Sequence, residues 1–103
     1  MQHVRFGPTG LQVSRLCLGT MTFGLQCDEK TSFAILDAAA EQGITFLDTA
    51  DAYPLGGGTD IAGRTEQIVG KLKCYAEIHT VIAKSGLLVW SRSCKNTSYL
   101  AAA

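Results

Sequence analysis

Two residue types that can share a proton-transfer site fall close together in this sequence, and a third follows further along. The segment Phe46-Leu47-Asp48-Thr49-Ala50-Asp51-Ala52-Tyr53 sets an acid directly after a short apolar run, with a tyrosine five residues later. A tyrosine hydroxyl can give a proton to a carbonyl oxygen if its pKa is lowered. A lysine beside it lowers that pKa by favouring the phenolate, and a carboxylate holds such a lysine in place. Lys84, which follows the apolar stretch Thr80 to Ala83, is the natural candidate. The same residues also allow a plainer reading. An aspartate at a strand end can cap or anchor a loop, a loop tyrosine can pack, and a lysine can simply be solvated.

Other chemistries have less to stand on. Cys17, Cys27, Cys74 and Cys94 form no CxxC pair, and His3 and His79 are the only histidines. That spacing speaks against a metal site and for thiols in a reducing compartment. Gly56-Gly57-Gly58 does not open a helix directly after a strand, so it is read as a surface loop and not as a dinucleotide fingerprint. Nine basic side chains balance nine acidic ones, which gives no electrostatic argument for nucleic acid or an anionic membrane. Apolar runs are too short to span a bilayer, and Met1 to Gly10 lacks the apolar core of a signal peptide. A cytoplasmic location is the resulting expectation.

The 103 residues, 47% hydrophobic and 17% charged, suit one small globular domain or a piece of a larger one. Val4 to Phe6 and Leu11 to Val13 flank Gly7-Pro8-Thr9-Gly10, the composition of a β-hairpin. Arg15 to Gly19 reads as a short buried strand. Asp28 can cap a helix, with Glu29 near its positive end and Phe33, Leu36 and Ala40 at helical spacing. Gly43 ends that helix. Ile44 to Leu47 reads as a second strand, which places Asp48 just past it. Thr65 to Lys73 reads as a second helix, weakened at Gly70 by about 1 kcal/mol relative to alanine. Thr80 to Ala83 is the third strand. Strands alternating with helices predict a parallel α/β sheet. After Gly86 the pattern fails: Leu87 to Trp90 is apolar, and Ser91 to Ser98 is polar without a period.

Four stretches together resemble the aldo-keto reductase family, in particular the branch similar to potassium-channel β-subunits and bacterial oxidoreductases. They are Gly10-Leu11-Gln12-Val13-Ser14, Leu18-Gly19-Thr20-Met21-Thr22-Phe23-Gly24, Phe46 to Tyr53, and Gly63-Arg64-Thr65-Glu66. The resemblance covers residues 3 to about 72 well, and 80 to 86 loosely. It implies the amino-terminal portion of a (β/α)8 TIM barrel with a leading β-hairpin, incomplete in this chain. The implied reaction is NADPH-dependent reduction of a small aldehyde or ketone to an alcohol. Asp48 takes the place of the family's catalytic aspartate and Tyr53 that of its general acid. Gly19, Thr20 and Met21, with Asp48, match the part that borders the nicotinamide end of the cofactor.

The departures set limits on that expectation. The family's third strand runs from apolar residues into Ala-Thr-Lys, whereas this chain has Val81-Ile82-Ala83-Lys84-Ser85-Gly86. With one residue deleted, Lys84 is the catalytic lysine; without a gap, Ser85 stands there. A one-residue slip in a strand moves a side chain to the opposite face. Nothing matches the family's histidine after the fourth strand, because His79 precedes the third strand and His3 belongs to the hairpin. The segments that hold the cofactor's phosphates have no counterpart either. Residues 1–86 therefore read as a partial reductase domain and 87–103 as a divergent tail. The reductase reading, truncated and inactive alone, stands beside two others. One is a non-catalytic interaction protein that self-associates through an open sheet edge. The other is a non-functional product of truncation, frame shift or alternative splicing.

Overall fold

The computed structural model describes residues 1–71, together with the backbone of the strands at 80–85, 88–92 and 100–102. Strands β1 (His3–Arg5) and β2 (Gln12–Ser14) form an antiparallel hairpin in which Val4 faces Val13. Its turn is a single 310 turn, Gly7–Thr9, closed by Gly10 at φ 78°. A left-handed φ there is what glycine adopts without strain.

A five-stranded sheet follows in the order β3 (Leu18–Gly19), β4 (Phe46–Ala50), β5 (Thr80–Ser85), β6 (Leu88–Arg92), β7 (Leu100–Ala102). β3, β4 and β5 are parallel neighbours, as the alternation of elements predicts. β6 and β7 then pair antiparallel. The sheet is thus mixed, and β5 is flanked by β6 where the sequence suggests an open edge. Most of the apolar stretch that follows Gly86 is itself the return strand, β6, which pairs with β5 on one side and β7 on the other.

Helix α1 (Glu29–Glu41) links β3 to β4, and α2 (Arg64–Gly70) lies between β4 and β5. The Asp28 carboxylate accepts from the Thr31 N–H at 2.7 Å, the cap that the sequence predicts. The stripe that α1 buries is Ser32, Leu36 and Ala39. Phe33 is only partly covered, and Ala34 and Ala38 are exposed. Gly43, at φ 80°, turns the chain, and the Ile44 N–H still donates to Ala39 O at 2.9 Å. That bond keeps Ile44 on the helix end, so the strand starts two residues later than the apolar run suggests.

The core lies between the sheet and the helices. Phe23, Leu36, Leu47, Ile68 and Val69 form one cluster, with Leu18, Cys27, Phe33 and Ile35 against it. The hairpin is tied to the sheet by two reciprocal hydrogen bonds. Ser14 N–H donates to Thr45 Oγ1 at 3.2 Å, and Thr45 N–H donates to Ser14 Oγ at 3.1 Å. Phe6 meets Phe46 edge to face, with ring centroids 5.4 Å apart, an arrangement that aromatic pairs favour. Among the described residues no helix is long and apolar enough to cross a membrane.

The α1 cap gives a pH-dependent expectation. Hydrogen bonds from Thr31, the side-chain contribution first and the backbone one second, hold the Asp28 carboxyl below its ordinary value. A depressed carboxyl pKa stabilises the fold above the unfolded value, about 3.9 for aspartate, and that contribution is lost as pH falls through the folded pKa. Asp28→Ala is expected to lower the urea midpoint near neutral pH. The gap between variant and parent narrows as pH falls below the unfolded value and through the lower folded one. A gap independent of pH, read by circular dichroism, would show that the carboxylate is not the stabilising group.

Candidate active site

β4 sorts its side chains by the two-residue period of a strand. Leu47 and Thr49 are buried at 0% and 2% exposure, and Leu47 packs into the helix-side core. Phe46 and Asp48 lie on the opposite side and are partly exposed. Asp48 therefore sits in the middle of β4, not just after it as the apolar run indicates. This face meets the hairpin at Phe46.

The turn after β3 is fixed to Asp48 through the main chain. Gly19 pairs with Asp48 in the ladder. Thr20, fully buried, donates its N–H to Asp48 O at 3.1 Å and its hydroxyl to the same oxygen at 2.9 Å. Two donors on one carbonyl lock the Gly19-Thr20-Met21 turn against β4. Gly19 and Met21 stay exposed, and a Cβ built at Gly19 would meet none of the described residues within 4 Å.

Tyr53 follows β4 by one turn, with its N–H on Ala50 O at 3.2 Å. It is half-buried, and Pro54 beside it is buried. Its carbonyl accepts from the Gly63 N–H at 3.1 Å, which draws the glycine-rich loop back over the start of α2. That loop is more shaped than its composition suggests. Gly56 and Gly58 have φ of 98° and 74°, and a Cβ at Gly57 would fall 1.8 Å from Ile61 Cδ1. Leu25 and Gln26 touch the loop from the other side, Gln26 Nε2 donating to Leu55 O at 3.4 Å.

The Gly19–Met21 turn and Tyr53 thus follow the carboxyl ends of two neighbouring parallel strands, β3 and β4, and Asp48 lies within β4 opposite Gly19. In α/β folds the carboxyl ends of strands are where functional groups gather. The Lys84 side chain lies outside the described residues, as do His79, Cys74 and Cys94. The backbone register pairs Asp48 with Ile82, Ala50 with Lys84, and Thr49 with Ala83. By this register, position 84 has the parity of Asp48 and position 85 that of Thr49.

Sequence reasoning gave Gly63-Arg64-Thr65 no role beyond the resemblance. Arg64 Nη1 donates to Gly24 O at 3.0 Å, and the buried Thr65 hydroxyl donates to Phe23 O at 2.6 Å. No local sequence signal points to these partners, which lie some forty positions upstream.

Comparison with known proteins resolves what this arrangement belongs to. The model of the Aldo/keto reductase family matches residues 15–78, which takes in β3, α1, β4 and α2. This chain belongs to the aldo/keto reductase family. It is similar to the uncharacterized oxidoreductase YrpG of Bacillus subtilis, with 55% identity over 71 residues, covering 69% of this chain and 21% of YrpG. It is also similar to the aldo-keto reductase YhdN of the same organism, with 40% identity over 75 residues, 69% of this chain and 23% of YhdN. A probable voltage-gated potassium channel subunit beta of Arabidopsis thaliana is 34% identical over 87 residues, 84% of this chain and 26% of that protein. Both branches named by the four sequence stretches are represented. The aldo/keto reductase segment here spans about a fifth to a quarter of the length of these relatives.

Proposed function

We propose that this chain supplies the proton-transfer part of an NADPH-dependent carbonyl-reducing site, with Tyr53 as general acid and Asp48 and Lys84 as the groups that tune it. The observation that carries the reading is the pairing of Gly19 with Asp48, held by the two Thr20 bonds to Asp48 O, with Tyr53 three residues past the end of β4. NADPH, when bound, supplies the hydride. Tyr53 hydroxyl delivers a proton to the carbonyl oxygen as negative charge develops there. Asp48 holds the lysine ammonium, and the ammonium favours the phenolate that Tyr53 leaves behind. The parity shared by positions 48 and 84 supports Lys84 over Ser85 for that role. In this reading the turn at Gly19, Thr20 and Met21, with Gly19 and Met21 exposed on either side of buried Thr20, borders the nicotinamide end of the cofactor.

On this reading the 103-residue polypeptide does not turn over by itself. Hydride transfer needs the two reactants held at near-contact distance, and much of the rate comes from that positioning. The described residues offer no cradle for the dinucleotide's phosphates, and the match covers only about a fifth of YrpG. A small carbonyl compound is the substrate class and the cytoplasm the compartment that go with the family. The test is to purify the chain, establish that it is folded, titrate NADPH by fluorescence and assay a reactive aldehyde. No protein-dependent NADPH oxidation is expected. Micromolar binding with oxidation lost on Tyr53→Phe would make the chain a minimal reductase and overturn its dependence on further segments.

A further inference from the structure

We infer that Gly63, Arg64 and Thr65 are positioning residues that clamp the loop after β3 to the loop after β4, and so fix the Gly19–Met21 turn relative to Tyr53. The inference rests on the reading above that these two loops carry the site. Three consecutive residues at the start of α2 reach both loops. Gly63, at φ 88°, gives its N–H to Tyr53 O at 3.1 Å. Thr65, fully buried, gives its hydroxyl to Phe23 O at 2.6 Å. Phe23 is buried in turn, and its N–H donates to Thr20 O at 3.0 Å. Thr20 then makes its two bonds to Asp48 O. A chain of hydrogen bonds thus runs from Tyr53 through α2 and the first loop back to Asp48, separate from the covalent path along β4.

Two details argue that these groups serve the loops and not the helix. The Thr65 hydroxyl and the Arg64 guanidinium both bond to carbonyls some forty positions away, and the N-cap of α2 is Gly63, which has no side chain to offer the helix. Gly24 is shaped to receive Arg64. Its φ is 96°, and a Cβ there would stand 2.9 Å from Arg64 Cγ and Cδ. The arginine stem lies on bare backbone and its head closes on the carbonyl beneath it. A carbonyl such as Phe23 O, buried and robbed of its donor, makes the local structure open more readily.

The test uses the full 103-residue chain and amide hydrogen exchange by NMR, with Thr65→Val to remove the hydroxyl at near-constant shape. Exchange is expected to rise about tenfold, the scale of one lost hydrogen bond, at Phe23, Gly24 and Cys27 and also at Gly63 across the clamp. Gln42 and Ile44, at the far end of α1, keep their rates. Thr65→Ser restores the protection. Arg64→Met, at an exposed position, raises exchange at the same loop amides and decides the matter if Thr65→Val does not fold. Unchanged rates at the loop and at Gly63, or an equal rise at Gln42 and Ile44, overturn the clamp. Amide exchange needs neither cofactor nor substrate. A failure here therefore leaves the catalytic reading standing, and a failure of that reading leaves the exchange result intact.

Discussion

Tyr53→Phe is expected to lower kcat for aldehyde reduction by roughly 10²- to 10⁴-fold, the usual contribution of a positioned general acid. The protein for this measurement is a fusion of residues 1–71 to the remainder of YhdN, which is named an aldo-keto reductase and is 40% identical over the matched segment. YhdN's own remainder then supplies the rest of the chain. Phenylalanine keeps the ring that lies beside the buried Pro54 and removes only the hydroxyl, so the fusion should keep its thermal midpoint. KM for the aldehyde should change far less than kcat, because the proton is given in the transition state and not in the bound ground state. A fusion that reduces aldehyde equally well with phenylalanine at 53 would remove Tyr53 from the chemistry. A fusion without any activity, where YhdN itself has it, would favour the non-catalytic reading of this segment.

Leu47→Ala should be among the most damaging single truncations in the fold. Leu47 is fully buried at the centre of the cluster that joins β4 to both helices. Removing a buried leucine side chain costs about 2–5 kcal/mol, because the lost transfer energy is joined by the cavity left behind. Total stability for a domain of this size is about 5–15 kcal/mol. The urea midpoint should therefore fall by roughly a seventh at the least, or the chain should fail to fold. Leu47→Met, which roughly conserves volume, should cost less than about 1.5 kcal/mol. Leu55→Ala, at a position 48% exposed, serves as the surface control and should shift the midpoint little. Equal effects of Leu47→Ala and Leu55→Ala would mean that β4 is not the core strand.

The helix α1 was legible because its signals are local. Asp28 caps three residues ahead, and Gly43 turns the chain. Strand limits were less legible because distant partners decide them. Arg15 to Gly19 reads as one apolar-centred strand, yet only Leu18–Gly19 joins the sheet. The Arg15 N–H is taken by Gln2 O at 2.8 Å, and Ser14 Oγ donates to Leu16 O at 2.6 Å, so residues 15 to 17 belong to the hairpin's exit. β4 shifts toward its carboxyl end for the matching reason, since the end of α1 holds Ile44. Polar Asp48 and Thr49 interrupt the apolar run without interrupting the ladder. The antiparallel return of β6 and β7 has no helical or alternating signature across Ser91 to Ser98. The loop-spanning bonds of Arg64 and Thr65 were out of reach for another reason: a sequence does not show which carbonyl a hydroxyl will find.

The attachment of the hairpin to Thr45 and Phe46 bears on the order of events at the ribosome. β1 and β2 can pair as soon as Ser14 is free of the exit tunnel, and a hairpin forms within about 1–10 μs. Its docking partners are 31 residues downstream of Ser14. At a synthesis rate of about 5–20 residues per second they arrive roughly 2–6 s later. Through that interval Val13, buried in the finished fold, has no sheet to cover it, and neither does the face of Phe6 that will meet Phe46. The first fourteen residues are thus a finished part kept waiting about a millionfold longer than they took to make. An apolar surface exposed for seconds at the start of a chain is the kind of target that nascent-chain chaperones bind.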